Sequence, residues 1–323
     1  MTALQDSEQV GGIGDAVDPV PRAPLPEPRP RRRLDPRWHP LVLLSPALAL
    51  IVVFTVLPAI AVFVLSFTNW DFLFGTTDWV GLENFRRVLP NPELSRAIKN
   101  TFIYTAITVP TSVVLGLLVA LGIHSLTRGK GWWRALYFLP VVSTLVASSV
   151  AWRWLFFPRT GLVDSTIGEV TGWTGWLNSL DLALPATAVV GIWAMVGYNA
   201  VLFLAGLAGV PAHLHEAAKL DGASAWSRFW HVTWPALGPA TLFVLVINLT
   251  FSLQAFETII VLTQGGPLGH TETLLFVLWR RGIDFLDIGG GSVVALVLLV
   301  IVLAATFVQM RTFGRRLEEA GSR

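Results

Sequence analysis

Six long apolar runs occupy most of this sequence and restrict the folds that it can adopt. A helix needs about 20 consecutive, mostly apolar residues to cross the hydrocarbon core of a bilayer. The runs reach this length and cover residues 41–67, 97–124, 135–157, 182–210, 237–263 and 289–313. Of the 323 residues, 53% are hydrophobic and only 14% are charged, whereas about a quarter are charged in soluble domains. The pattern predicts an all-α integral membrane protein with six transmembrane helices.

The N-terminal segment has a different composition. Residues 1–37 are polar, rich in proline and arginine, and without apolar periodicity. Such segments cannot bury enough apolar surface to fold, so a disordered tail is predicted ahead of one transmembrane domain over residues 38–323. The RPRRR run at 29–33 could bind nucleic acid, but basic residues beside a first span are typical of a cytoplasmic flank. The following apolar run is longer than the core of a secretory leader.

Lys and Arg are distributed unevenly between the segments that separate the runs. Fifteen of the 23 lie in the two tails, in the loop after the second run and in the segment between the fourth and fifth runs. These segments share one side of the membrane if every run crosses it. Because Lys and Arg are enriched in cytoplasmic loops, both termini are predicted to be cytoplasmic.

The stretch between the fourth and fifth runs, residues 211–235, has the sequence PAHLHEAAKLDGASAWSRFWHVTWP. Good helix formers predict a helix over Ala212–Leu220. Gly222 tolerates the left-handed conformation that ends helices, and Ser224 is a suitable N-cap for a second short helix. Pro235 is predicted to close that helix and open the next span. The result would be a compact helix-turn-helix on the cytoplasmic side.

This stretch resembles a known motif. The spacing of its Glu-Ala-Ala, Gly and Pro is similar to the EAA loop in the membrane subunits of binding-protein-dependent ATP-binding-cassette (ABC) importers. The chain departs from that motif at Val232 and Trp234, where the family has Ile and Leu. An ordinary hairpin loop is the alternative. The resemblance assigns ATPase coupling to Glu216, Ala217, Ala218, Asp221, Gly222 and Pro235.

Shorter segments carry the same resemblance in order along the chain. They are similar to the carbohydrate-uptake branch of these permeases, of maltose or glycerol-3-phosphate type. The segments are Ser66-Phe67-Thr68, Gly81-Leu82-Glu83-Asn84-Phe85, Asn100-Thr101, Phe138-Leu139-Pro140 and Gly265-Gly266-Pro267. Gly197-Tyr198-Asn199 and Val246-Ile247-Asn248 favour the glycerophosphate type.

The resemblance also implies an assembly. A permease of this kind encloses half of a pathway and works with a second homologous permease subunit, two ABC ATPase subunits and an extracytoplasmic substrate-binding protein. ATP and Mg would be bound by the ATPase subunits, and this chain itself would hold no cofactor and no nucleic acid. The expected location is the inner membrane of a prokaryote.

Polar residues inside the spans are candidates for the substrate pathway, because they are costly in lipid and usually face a bundle interior or a wet path. In the fifth run, Thr250, Gln254, Glu257 and Thr258 share one predicted helical stripe, with Asn248 and Ser252 on an adjacent one. In the fourth run, an aromatic ring could stack on a sugar and an amide could bind hydroxyls. The alternative for each of these residues is a structural role in the packing of the helices. The predicted pathway residues are Trp193, Tyr198, Asn199, Asn248, Gln254 and Glu257.

Three arginines, one near the outer end of the third run and two in the loop between the fifth and sixth runs, could attract a phosphate on the substrate, since guanidinium pairs well with that group. They are Arg153, Arg280 and Arg281. For Arg153, the alternative is that its side chain extends to the lipid headgroups.

Several functions lack their motifs. The sequence has no phosphate-binding Gly-x-x-x-x-Gly-Lys-Ser/Thr loop, so this chain is not expected to hydrolyse ATP. His213 and His215 have no further ligands in their segment, and no metal site is predicted. An ion-coupled secondary transporter is the alternative function, but it would be expected to contain inverted repeats and charge relays, and only Glu257 could serve as its coupling site. A membrane scaffold is a third possibility.

Overall fold

The computed structural model describes residues 39–71 and 75–321. The tail predicted over residues 1–37, with its arginines, lies outside the described residues. The chain divides into two compact units, Met1–Val53 and Phe54–Arg323. In the first unit, the described part is α1 (His39–Ile51) and the start of a π-helical turn.

The second unit is helical, with one short hairpin. Its strands are β1 (Thr68–Asp71) and β2 (Thr76–Trp79), and its helices are α2 (Leu57–Leu65), α3 (Glu83–Val88), α4 (Pro92–Ser125), α5 (Lys130–Val142), α6 (Leu145–Leu155), α7 (Glu169–Thr171), α8 (Ala183–Ala208), α9 (Ala212–Leu220), α10 (Ala225–Arg228), α11 (Trp234–Ala236), α12 (Gly238–Leu253), α13 (Glu257–Leu262), α14 (Leu274–Trp279) and α15 (Ile288–Gly321).

Within the described residues, four helices are long and apolar enough to cross a membrane. They cover Leu43–Leu65, Pro92–Ser125, Ala183–Ala208 and Ile288–Thr312. Two bent pairs raise the number of candidate spans to six if each pair is one span. One pair, α5 and α6, is the predicted third run. The other joins residues 225–236 to α12, so its bend lies at the start of the predicted fifth run.

The third run was predicted as one helix and is two. Helices α5 and α6 meet at an angle of 96°. Thr144 caps α6 by accepting a hydrogen bond from the amide of Ala147 at 3.4 Å, and the hydroxyl of Ser143 donates to the carbonyl of Pro140 at 2.9 Å. These two hydroxyls form hydrogen bonds with backbone groups that lose their helical partners at the break. A hydropathy profile does not reveal such bonds, so the break was not predicted.

The fifth run is also interrupted. Helix α12 ends at Leu253, and α13 begins at Glu257. The single polar stripe predicted over Thr250 to Thr258 assumed a continuous helix and is wrong.

The second span begins earlier than its apolar run. Asn91 caps α4, with its side-chain oxygen accepting from the amide of Glu93 at 2.9 Å, and Pro92 occupies the first turn. Proline is suited to that position because its missing N–H would have no helical partner. Polar residues therefore extend the helix beyond the predicted start at residue 97.

The hairpin was not predicted. Strands β1 and β2 pair antiparallel, with Thr68 opposite Trp79. The buried amide of Asn84 donates to the carbonyls of Ser66 and Thr68 at 3.0 and 2.8 Å. This side chain fixes α3 against the start of the hairpin.

Helices α4, α8 and α12 pack around one core. Its buried apolar side chains include Val109, Val113, Phe203, Leu237 and Val244. Small residues permit the close approach of α4 and α8. A Cβ at Gly116 would collide with the side chain of Asn199, and one at Gly191 would collide with the hydroxyl of Tyr104.

Candidate functional site

The predicted helix over Ala212–Leu220 is present as α9 and ends in a tight turn. The amide of Gly222 donates to the carbonyl of Lys219 at 3.1 Å, and the amide of Ala223 donates to the carbonyl of Ala218 at 2.9 Å. Gly222 has φ of +73°, a conformation that costs most other residues energy. The turn therefore depends on glycine at this position.

The second helix begins where predicted but ends elsewhere. Ser224 caps it by accepting from the amide of Ser227 at 3.2 Å. Helical structure then continues through a π-helical turn to Ala236 and bends by 67° into α12. The prediction that Pro235 closes this helix and opens the span is wrong, because Pro235 lies inside α11 and Pro239 occupies the first turn of α12. Proline fits the first turn of a helix without loss of a hydrogen bond.

The motif residues form an accessible surface. Glu216, Ala217, Asp221, Gly222 and Pro235 are exposed and Ala218 is half-buried. Beside them, Leu220 is 90% exposed.

Four aromatic rings stand next to this surface. We call Trp226, Phe229, Trp230 and Trp234 the aromatic cluster. Neighbouring ring centroids are 5.2 to 6.2 Å apart, within the range of favourable ring pairs. The cluster makes α10, the π-helical turn and α11 one rigid unit that leads into α12.

A cavity of about 210 Å³ lies where α4, α8 and the α12–α13 break meet. We call it the break cavity. Gln254 and Glu257, both predicted pathway residues, line it and are exposed. Ser252 also lines it, is 4% exposed, and its hydroxyl has no hydrogen-bond partner among the described residues.

Sequence reasoning missed two polar residues of this cavity. Tyr104 and Thr108 on α4 line its wall. Their spacing of four residues places them on one face of a helix, and this signal inside an apolar run could have identified them.

Asn248 and Asn199 lie deeper and bond to each other. Asn199 is 0% exposed and Asn248 is 1% exposed. Each amide nitrogen donates to the other oxygen, and the hydroxyl of Ser112 donates to Asn248 at 2.9 Å. Asn248 also reaches the wall of the break cavity, whereas Asn199 does not line it. Their role in transport stays a prediction.

Trp193 belongs to another cavity. This second cavity, of about 620 Å³, is lined mainly by apolar side chains of α4, α5 and α8. Trp193 makes an edge contact with Trp152 at a centroid distance of 5.8 Å. Tyr198 is half-buried and lines neither cavity. The six predicted pathway residues therefore do not form one site.

Two of the three arginines considered for phosphate binding are held by carboxylates. Arg280 and Arg281 both contact Glu93, and Arg280 donates to Glu272 at 2.5 Å. Arg281 also lies 3.5 Å from Asp287. We call these five residues the ion-pair cluster. Burial lowers the pKa of Arg280, but the hydrogen bonds to Glu272 and Glu93 outweigh it and leave that pKa above its usual value.

Arg153 belongs neither to the break cavity nor to the ion-pair cluster. It is exposed and lines a shallow pocket with Val150, Trp154 and Phe157. None of these residues lines the break cavity.

Comparisons with known proteins agree with the membrane architecture. The family described as binding-protein-dependent transport system inner membrane component matches residues 89–319. The sn-glycerol-3-phosphate transport system permease protein UgpA of Agrobacterium fabrum is 32% identical over 280 residues, which cover 86% of this chain and 95% of that protein. UgpA of Pectobacterium atrosepticum is 30% identical over 282 residues, with coverage of 86% and 95%.

A solved structure has a similar fold. It is the crystal structure of a bacterial ABC transporter involved in import of the acidic polysaccharide alginate. The matching chain has a TM-score of 0.73 at 22% identity, with 86% of this chain and 96% of that chain covered. Because the family match spans most of the sequence and the relatives align over nearly their full length, this chain belongs to the family of inner membrane components of binding-protein-dependent transport systems.

Proposed function

We propose that this chain is one transmembrane half of an ATP-driven importer, with residues 211–235 as the segment that couples it to an ATPase. The observation that carries the proposal is the exposed surface of α9 and its glycine turn, at the positions where the EAA motif is expected. A short rigid helix with an exposed leucine suits insertion into a groove on another protein.

The proposed topology has six crossings and cytoplasmic termini. Helices α5 and α6 then form one span and α12 forms the fifth, the tail 1–37 precedes the transmembrane domain 38–323, and α9 faces the cytoplasm. The distribution of Lys and Arg supports this orientation. The ion-pair cluster and the hairpin then lie on the extracytoplasmic side.

The proposed assembly contains a second homologous permease, two ATPase subunits that bind ATP and Mg, and an extracytoplasmic binding protein, in the inner membrane of a prokaryote. A related importer structure contains an alginate pentasaccharide-bound periplasmic protein. ATP-driven closure of the ATPases would draw the coupling segments together and switch the pathway between two states. The coupling residues are Glu216, Ala217, Ala218, Asp221, Gly222 and Pro235.

The proposed substrate class is a sugar or sugar-like polyol. A glycerophosphate is the alternative substrate, because two relatives above carry the name of a glycerol-3-phosphate system. The break cavity, lined by Gln254, Glu257 and Asn248, is the proposed part of its pathway in this chain.

The proposal is tested by measuring whether uptake depends on ATP or on ion gradients. Uptake would be measured in cells that carry the complete importer, with the proton and sodium gradients collapsed and ATP maintained. We expect uptake to continue. Loss of uptake with ATP intact would instead support an ion-coupled carrier and contradict the proposal.

A further inference from the structure

We infer that the break cavity accepts an uncharged, hydroxyl-rich part of the substrate and disfavours phosphate or carboxylate groups. The assignment of this cavity to the pathway rests on the proposed function, and the inference adds the charge of the ligand.

The polar lining of the break cavity is almost entirely neutral. Hydroxyl groups both donate and accept hydrogen bonds, and amides offer one of each kind of group. A sugar or polyol hydroxyl needs both, whereas a fully ionised phosphate only accepts. The neutral polar residues are Tyr104, Thr108, Asn248, Ser252, Gln254 and Thr258.

The single charge on the wall is negative. Among the described residues that line the break cavity, Glu257 alone is ionisable near neutral pH. No Lys, Arg or His of the described part of the chain lies within ion-pair distance of it. An uncompensated carboxylate repels an anion that approaches it, and the repulsion grows as the dielectric around the two charges falls.

The basic groups that could offset Glu257 are engaged elsewhere. Arg280 and Arg281 bind Glu93 and Glu272 in the ion-pair cluster. Using them for a phosphate would leave these carboxylates unpaired and partly buried, which is costly.

Two hydroxyls of residues that line the break cavity, those of Thr108 and Ser252, lack a partner within the described structure. Ser252 is 4% exposed, and its Oγ has no hydrogen bond within the described structure. A buried unsatisfied hydroxyl is unfavourable, and a substrate hydroxyl would satisfy it. Phe251 and Phe256 on the same wall supply apolar surface against which a sugar ring can pack.

The absence of cysteine from the sequence allows a direct test. Gln254→Cys places one thiol in the break cavity of the complete importer in proteoliposomes. It would be reacted with three methanethiosulfonates: sulfonatoethyl (anionic), trimethylammonioethyl (cationic) and hydroxyethyl (neutral). Labelling is followed by the mass of the intact chain, and each rate is divided by the rate with 2-mercaptoethanol in solution. Ser252→Cys, which is nearly isosteric, is the second position if the first variant does not assemble.

We expect the normalised rate of the anionic reagent to be about tenfold below those of the other two, as a like charge a few ångströms away would produce at a dielectric between those of water and a protein interior. Glu257→Gln in the same background should remove most of this difference. An anionic rate equal to or above the neutral rate, an unchanged ratio after Glu257→Gln, or no labelling by any reagent would overturn the inference.

Transport separates this inference from the proposed function. ATP-driven accumulation of sn-glycerol 3-phosphate by the unmodified importer would overturn the inference and leave the importer function intact. Uptake that stops with the ion gradients while ATP remains would overturn the importer function, whatever the thiol shows.

Discussion

Asn199 of α8 and Asn248 of α12 exchange two side-chain hydrogen bonds, of 3.1 and 2.6 Å, in the centre of the helix packing. Asn248 also donates to the carbonyl of Val244 and accepts from Ser112 on α4. Three helices are thus connected through one amide. Satisfied polar groups of this kind fix the relative positions of helices in an apolar environment.

Removal of one member of this pair should destabilise the protein. Asn199→Leu leaves the buried Asn248 without its partner, at a cost of about 1 to 3 kcal/mol. Thermal unfolding in detergent should show a lower Tm than the unmodified chain. The Asn199→Leu/Asn248→Leu double variant should recover part of the loss, and strictly additive losses would contradict the coupling of the two residues.

Gly222→Asp should leave the protein in the membrane and abolish uptake. A Cβ at Gly222 meets no atom of this chain within 4 Å, so the change causes no collision, although φ of +73° strains any side chain and strains Asn and Asp less than most. Asn and Asp share this backbone strain, so a difference between them reports the charge that a partner meets. Gly222→Asn, with the same shape and no charge, is the control and should retain more uptake. Normal uptake by the Gly222→Asp variant would count against the coupling role.

Gly191→Ala should destabilise the contact between α4 and α8. Its Cβ would collide with the hydroxyl of Tyr104, and overpacking of this kind costs about 1 to 3 kcal/mol. Tyr104→Phe removes that hydroxyl, so the double variant should regain stability in a thermal unfolding assay. Gly122→Ala on α4 is the matched control, because its Cβ meets nothing within 4 Å and Ala favours a helix. Equal effects at Gly122 and Gly191 would contradict the steric explanation.

Glu93→Gln should weaken the ion-pair cluster. Glu93 contacts both Arg280 and Arg281, and all three side chains are mostly buried. Loss of the carboxylate leaves two guanidinium groups with fewer partners, at a cost of up to about 3 kcal/mol. Arg87→Gln is the comparison, because Arg87 is 51% exposed in its pair with Asp287 and should change stability by less than about 1 kcal/mol. A smaller decrease in Tm for Glu93→Gln than for Arg87→Gln would oppose this account.

The apolar runs and the turn chemistry of residues 211–235 could be interpreted from the sequence because both are local properties. Span length follows from the thickness of a bilayer, and Gly222 and Ser224 act on residues within a few positions. The break after Leu253 was not predicted, since its residues remain apolar enough to continue a span. The predicted start of α4 was too late, because the prediction followed the apolar run alone. Asn91 and Pro92 are unfavourable inside a helix but favourable at its start.

By itself, the sequence determined that this chain spans a membrane through helices and that an EAA-like segment connects two of its apolar runs. Only the tertiary structure decided which polar groups meet. Glu93 and Arg281 are 188 residues apart in the chain, and Asn199 and Asn248 are 49 apart. Hydropathy and spacing report on one helix at a time, whereas burial, ion pairing and the break cavity depend on how α4, α8 and α12 pack together.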